Sequence, residues 1–271
     1  MNERPIVILT ALDLEYDAVR ERLDGLRPHR HRQGTRFEVG HIPGTDRPVA
    51  LGLTGKGNHA SAVLTERAIH EFDPPAVLFT GVAGGLWPDI QLGTVVVATH
   101  VYAYHGGTSE DDGFKARPRA WEISHELDQL ARHVRRAGSW PHPVKFGPIA
   151  AGEVVQDSAV SWHAEWIRQT YNDALAIEME SAGVAKAAHD NRSRPLAVVR
   201  GISDRADGTK VATDGWQPRA AASAAAFALA LAREIDVPEP EPAARPAVNV
   251  ARDHARVGVQ AGQVNGDINL R

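Results

Sequence analysis

The chain has 271 residues, 43% of them hydrophobic and 24% charged, which is enough for one large single-core domain and short for two. It contains no cysteine, so disulfide scaffolds, thiolate zinc sites and cysteine nucleophiles are excluded, and carboxylates, His, Ser, Lys or Arg must carry any chemistry. Thirty basic against 34 acidic residues give a formal net charge of −4, which supplies no global attraction toward nucleic acid or an anionic membrane.

The N-terminus, Met1-Asn2-Glu3-Arg4-Pro5, leads straight into a strand-like run without the pattern of a secretory signal; a cytoplasmic location is the expectation. Runs rich in β-branched residues at Ile6 to Thr10, Val49 to Leu53, Val77 to Thr80, Thr94 to Val101 and Leu196 to Val199 read as buried strands. Between them lie apolar residues at helical spacing, first Leu14, Ala18, Val19 and Leu23, then Ala62, Val63, Ala68, Ile69 and Phe72. The alternation predicts an α/β fold with a mixed or mainly parallel sheet. Asp13 is the expected cap of the first helix, which places Glu15 in its first turn, just beyond the carboxyl end of strand one. Open α/β sheets put their ligand sites there.

The Ala-rich stretch from about Pro218 to Glu234 reads as a packed helix. Its apolar part is well short of the roughly 20 residues a bilayer span needs. Val237 to Pro246 carries four prolines and reads as a stiff, extended linker. Beyond it, the alternating apolar positions of Val257 to Ile268 allow a strand or small hairpin docked on a partner or a second copy, with disorder as the other reading. The division expected is a domain over 1–236, a Pro-rich linker over 237–247 and a short tail over 248–271.

Three local patterns carry candidate chemistry. The first is Thr10-Ala11-Leu12-Asp13-Leu14-Glu15-Tyr16, a strand breaking into a helix with an acid in its first turn; alone, such an acid is often only a helix-dipole partner. The second is Thr80-Gly81-Val82-Ala83-Gly84-Gly85-Leu86, read as a strand followed by a glycine turn whose amides are open to a ligand. It matches neither the phosphate-loop nor the dinucleotide fingerprint. The third has two pieces, Ala176-Ile177-Glu178-Met179-Glu180-Ser181-Ala182-Gly183 and Val198-Val199-Arg200-Gly201-Ile202-Ser203-Asp204, in which apolar strands end in acids. Buried acids at strand ends are costly unless they are paired or employed.

Taken together and in this order, TALDLEY, TGVAGGL, AIEMESAG and VVRGISD resemble the purine nucleoside phosphorylase and nucleosidase superfamily, and within it the methylthioadenosine/S-adenosylhomocysteine nucleosidase branch. The resemblance covers about residues 4–235 and implies a nucleoside phosphorylase-like three-layer α/β fold, a central mixed β-sheet flanked by helices. It implies that Glu15 activates water, that Asp204 protonates the purine at N7, and that Ser203 fixes the Asp204 loop. Glu180 would hold the ribose 2′- and 3′-hydroxyls and Met179 would pack against the sugar, with Glu178 preceding them in the strand-end motif. Ala83 and Gly84 would approach the sugar. Ala151 to Gln156 stands where the branch has a base-stacking aromatic; here Val155, beside Gln156, offers an aliphatic surface instead.

The chemistry asks for these types. Cleaving an N-glycosidic bond builds an oxocarbenium-like sugar, so the leaving base needs an acid and the opposite face an activated water. A carboxylate near the developing cation stabilises it. The reaction expected is hydrolysis of a purine nucleoside or nucleotide, with adenine as the base, and without a cofactor or metal. The alternatives are phosphorolysis, with Arg200 or the 82–85 turn serving phosphate, and a non-catalytic purine-nucleotide sensor or defence effector module. A homodimer is expected from the resemblance, and the tail offers a site for a further partner.

The glycine-rich run His105 to Arg119 reads as a solvated loop, or as a phosphate contact through Lys115, Arg117 and Arg119. Arg27 to Arg32 reads as a solvated turn, because no aromatic interleaving or fold-wide basic bias supports a nucleic-acid patch. The 13 histidines include no His-Glu-x-x-His spacing, and Gly201-Ile202-Ser203-Asp204-Arg205 is not a nucleophile elbow.

Overall fold

The structure, a computed structural model, describes residues 4–208 and 215–236. The expected linker and tail, 237–247 and 248–271, lie outside the described residues.

In chain order the elements are β1 (Ile6–Thr10), α1 (Asp13–Arg20), β2 (Asp24–Arg30), β3 (Arg36–His41), β4 (Pro48–Leu53), α2 (Asn58–Phe72), β5 (Val77–Gly85) and β6 (Val95–Ala103). Then come β7 (Gly107–Glu110), β8 (Gly113–Ala116), β9 (Arg119–Glu122), α3 (His125–Ala137), β10 (Val144–Ala151), α4 (Trp162–Thr170), β11 (Ala176–Glu178), α5 (Ser181–Asp190), β12 (Leu196–Asp204) and α6 (Trp216–Glu234). Every β1 residue is buried, as are all but the last of β12, which is why these runs carry no polar alternation.

The main sheet is mixed, in the order β11-β10-β6-β12-β5-β1-β4-β3-β2, with β9 added beside β6. β1 runs parallel to both β4 and β5, and β12 parallel to β5. β12 is antiparallel to β6. Because β11 pairs with β10 and also with the far end of β5, strands β5, β12, β6, β10 and β11 close into a ring. α1, α3 and α6 pack together against one part of the sheet, and α2 and α5 pack on each other elsewhere on it, giving the three-layer order. α2 and α5 approach closely because Gly183 has no side chain: a Cβ there would run into the Asn58 carbonyl and the Ser61 hydroxyl. Asn58 ties the crossing, accepting from Gly183 N–H at 2.9 Å and donating to the Gly152 carbonyl at 2.8 Å.

Several sequence expectations change here. Gly81 to Gly85 is not a turn: β5 continues through it, and none of its glycines has positive φ. Their small size serves close approach instead. Arg27 to Arg30 belongs to edge strand β2, paired with β3, and its charged, mostly exposed residues suit an edge. The run 105–119 is not a plain loop: it forms a two-stranded ribbon, β7 with β8, and then enters β9. These strands have mostly exposed residues, so they show no apolar pattern from which to read them. No helix among the described residues is long and apolar enough to cross a membrane.

Candidate active site

The carboxyl ends of β12, β5, β1 and β4 lie side by side, and the candidate residues meet above them. Glu15 sits in the first turn of α1, but Asp13 does not cap that helix; Leu12, which has no side-chain acceptor, holds the cap position, and the Glu15 carboxylate reaches back to its backbone N–H. One carboxylate oxygen accepts the backbone N–H groups of Ala11 and Leu12 at 2.8 and 3.0 Å, and the other accepts Val82 N–H at 2.7 Å. The helix start thus fixes a carboxylate whose third donor comes from β5. Burial drives the Glu15 pKa up from its ordinary value, opposed by the Arg200 charge and the three backbone donors.

Arg200 lies in β12 with no exposed surface. Its guanidinium bonds the Glu178 carboxylate and stands 3.6 Å from Glu180, and it stacks 4.1 Å from the Phe79 ring centre. Burial works against its charge, but Glu178, Glu15 and Glu180 outweigh that and raise its pKa. Among the described residues its Nε and Nη1 have no hydrogen-bond partner. Gly81 makes the arrangement possible, since a Cβ there would collide with both the Arg200 guanidinium and the Glu15 carboxylate.

Glu178 and Glu180 stand two residues apart and have different surroundings. Glu178 is saturated by protein groups: the Ser181 hydroxyl donates at 2.6 Å, the Ser181 and Glu180 N–H groups at 3.0 to 3.1 Å, and Arg200 completes the set. It therefore anchors the start of α5 and holds the cation. Glu180 accepts one backbone donor, Gly57 N–H at 3.1 Å, and lines the pocket. Burial first, and then repulsion from Glu178, push its pKa up to about 7, with Arg200 opposing.

Asp204 ends β12 just after a register shift opposite Ala83 and Gly84; bulges of this kind re-aim a side chain at a sheet rim. Ser203 donates its hydroxyl to Asp204 at 2.8 Å, and Ala206 N–H donates at 3.0 Å. A Cβ at Gly84 would come within 3.0 Å of the Asp204 carboxylate.

Glu15, Ala83, Gly84, Val155, Gln156, Glu178, Met179, Glu180, Ser203 and Asp204 all line one pocket, joined by Leu12, Lys56, Val82, Val154, Ile177, Ala206 and Gln217. Gln156 is held by His163, whose Nδ1 is 2.7 Å from its side-chain oxygen, while Val155 is 65% exposed at the mouth. The pocket volume is about 160 Å³. A larger groove of about 630 Å³ between β9 and α5 includes Arg119 and none of the other candidates, so chemistry rather than size marks the site. Lys115 and Arg117 line neither cavity. They sit on or beside the β7–β8 ribbon, where Lys115 pairs with Asp112 at 2.7 Å and Arg117 donates to Thr108 at 2.7 Å. No group of three or more metal-ligating side chains occurs among the described residues.

Sequence reasoning missed the role of Arg200 as the cluster's counter-ion, although the signal was present: a cation inside Val198-Val199-Arg200-Gly201-Ile202 has no water to meet and needs acids. It also passed over Lys56, which follows an apolar strand and lies between two glycines.

The family model described as the phosphorylase superfamily matches residues 5–233. Among solved structures, the chain is similar to a variant of the Helicobacter pylori methylthioadenosine/S-adenosylhomocysteine nucleosidase with 5′-methylthioadenosine in its active site. That match has 26% identity and a TM-score of 0.75, covering 86% of this chain and 99% of that one. It is also similar to futalosine hydrolase of the same organism, at 25% identity and TM-score 0.73 over 86% and 98% of the two chains. The Neisseria meningitidis methylthioadenosine/S-adenosylhomocysteine nucleosidase shares the fold, at 24% identity and TM-score 0.74 over 86% and 100%. With its motifs, mixed sheet and site all falling within the matched span, the chain belongs to the phosphorylase superfamily.

Proposed function

We propose that this protein is an N-ribosyl hydrolase that cleaves the N-glycosidic bond of a purine, with adenine as the base, in a nucleoside or nucleotide. The observation that carries the reading is the meeting of Glu15, Glu180 and Asp204 in one pocket. The two Helicobacter pylori structures to which the chain is similar at 25% and 26% identity are a hydrolase and a nucleosidase by name.

In this reading water attacks C1′ as the C1′–N9 bond breaks, and the bonding electrons leave with the base. Glu15 takes a proton from the water, and Asp204 gives one to the base at N7, so nucleoside and water become free base and ribosyl product. Glu180 accepts the ribose hydroxyls, and the buried acids stabilise the cationic sugar in a desolvated setting. Met179 packs on the sugar and Val155 on the base. Val82 N–H is already given to Glu15, and Arg200 is buried among three carboxylates. The Val82 amide and the Arg200 charge are thereby committed to carboxylates, which favours water as the nucleophile.

The test is chromatographic detection of free base from adenosine, methylthioadenosine, S-adenosylhomocysteine, AMP, ATP and NAD, with and without phosphate. Base release independent of phosphate, lost in Asp204→Asn, is the expected result. Release only with phosphate favours phosphorolysis, and purine binding without release from any substrate favours a sensor. A cytoplasmic homodimer with a further partner for residues 248–271 belongs to the same reading. Light scattering of the full chain and of a chain ending at 236 checks the assembly.

A further inference from the structure

We propose that Lys56 determines specificity at this site by binding a 5′-phosphate, so that the preferred substrates are purine nucleoside 5′-phosphates. The inference rests on the hydrolase reading above and names its substrate class.

Lys56 follows β4 in the run Thr54-Gly55-Lys56-Gly57, and both glycines have left-handed backbone, with φ of +76° and +93°. Such a backbone suits glycine and reverses the chain sharply on either side of the lysine. Both flanks are anchored. Thr54 N–H donates to the Thr10 carbonyl at 2.7 Å, tying the loop to β1. Gly57 N–H donates to the Glu180 carboxylate at 3.1 Å, tying it to the candidate ribose clamp. Lys56 lines the pocket and is its only Lys or Arg among the described lining residues. Its ammonium makes no hydrogen bond or ion pair with the described residues, unlike Lys115, Lys145 and Lys186, which are each paired with an aspartate.

Strand order sets where along the substrate this cation falls. Asp204 ends β12, Ala83 and Gly84 lie in β5, Glu15 follows β1 and Lys56 follows β4, and these four strands are consecutive neighbours. Three inter-strand steps separate the Asp204 and Lys56 ends by about 14 Å. A nucleoside has the same linear order: base on C1′, ribose in the middle, and the 5′ substituent on C4′, across the ring from the base. With the base at Asp204 and the ribose between Glu15 and Glu180, the 5′ group points toward β4. A flexible four-carbon stem then brings the ammonium to it as a point charge. The rest of the pocket is acidic, with Glu15, Glu178, Glu180 and Asp204, and would repel a phosphate dianion without a local cation.

The experiment measures kcat/KM for base release from AMP, adenosine and S-adenosylhomocysteine by the full chain and by Lys56→Met and Lys56→Arg. The expected result is a wild-type preference for AMP over adenosine. In Lys56→Met the AMP-to-adenosine ratio falls by about ten- to a hundred-fold, mainly through KM, as loss of a charge-assisted contact implies. Lys56→Arg restores most of it. A wild-type preference for adenosine, an equal loss on both substrates, or a loss confined to S-adenosylhomocysteine, whose carboxylate sits on a longer arm, overturns the proposal. If no substrate releases base, the hydrolase reading fails, and calorimetric titration with AMP and adenosine decides on Lys56. Tighter AMP binding that Lys56→Met abolishes upholds the phosphate contact, and equal affinities refute it.

Discussion

The floor of the pocket and the β7–β8 ribbon both concentrate charge, and they use it in opposite ways. On the ribbon, Lys115 and Asp112 form a pair with side chains 46% and 71% exposed, where water screens the attraction and little stability depends on it. On the floor, Arg200 and three glutamates share a dry space, where each charge is tolerable only because the others are present. The difference teaches that density of charge in the sequence says little until burial is known. A run of three cations in 115–119 drew attention to the ribbon, while a single arginine in an apolar strand holds the site together.

The strongest way to break this comparison is Arg200→Met. It leaves Glu15, Glu178 and Glu180 buried without their cation, and a loss of roughly 3–5 kcal/mol of folding stability is expected by urea denaturation. Stability near wild type would show that the cluster does not depend on its arginine. Next come Glu15→Gln and Asp204→Asn, each expected to lower base release by about 10²- to 10⁴-fold while circular dichroism stays native. Gly81→Ala should cost about 1–3 kcal/mol by overpacking, because the added methyl meets two side chains that are both anchored. A lowered kcat with it would tie the same glycine to the placement of Glu15.

A pH series sharpens the contrast. The folded protein holds protons on Glu180 more tightly than the unfolded chain does, with a pKa of about 7 against 4.5, and Glu15 is shifted in the same direction. Stability from Glu180 is full below about pH 4.5 and is lost as pH rises through about 7, and Glu15 contributes with the same sign. Melting temperature measured across that window should therefore fall less steeply in Glu180→Gln than in wild type. Because Glu15 must be ionised to accept a proton, the acid limb of kcat/KM should also lie above the ordinary carboxylate range. The smallest effect is expected on the ribbon: Lys115→Ala with Arg117→Ala should change stability by no more than about 0.5 kcal/mol each. A rise in KM for AMP in that double variant would reverse the comparison and return the ribbon to the substrate.

Much of this was legible in the sequence. Ile6 to Thr10 is read to the residue, because a strand buried on both faces is a continuous apolar run. The long α6 is legible from its alanines and leucines, and the family resemblance was carried by four motifs that each end a strand or start a helix. The predicted acids were found there because a carboxylate immediately after an apolar strand is locally anomalous. The edge strand β2 and the ribbon were not legible, since exposed pairs show no apolar period and depend on register with distant residues.

By itself, then, the sequence determined the α/β class, the order of the central elements and which acids stand at strand ends, because these follow from local periodicity and local desolvation cost. Only the tertiary structure decided what each charge meets. It gave Glu178 to Arg200 and Ser181, left Glu180 facing the pocket, extended β5 through its glycines so that Glu15 and Arg200 could approach, and set Lys56 three strands from Asp204. The physical reason is range: a strand end is fixed by its neighbours in sequence, but the field around a buried charge is the sum over groups that only folding brings together.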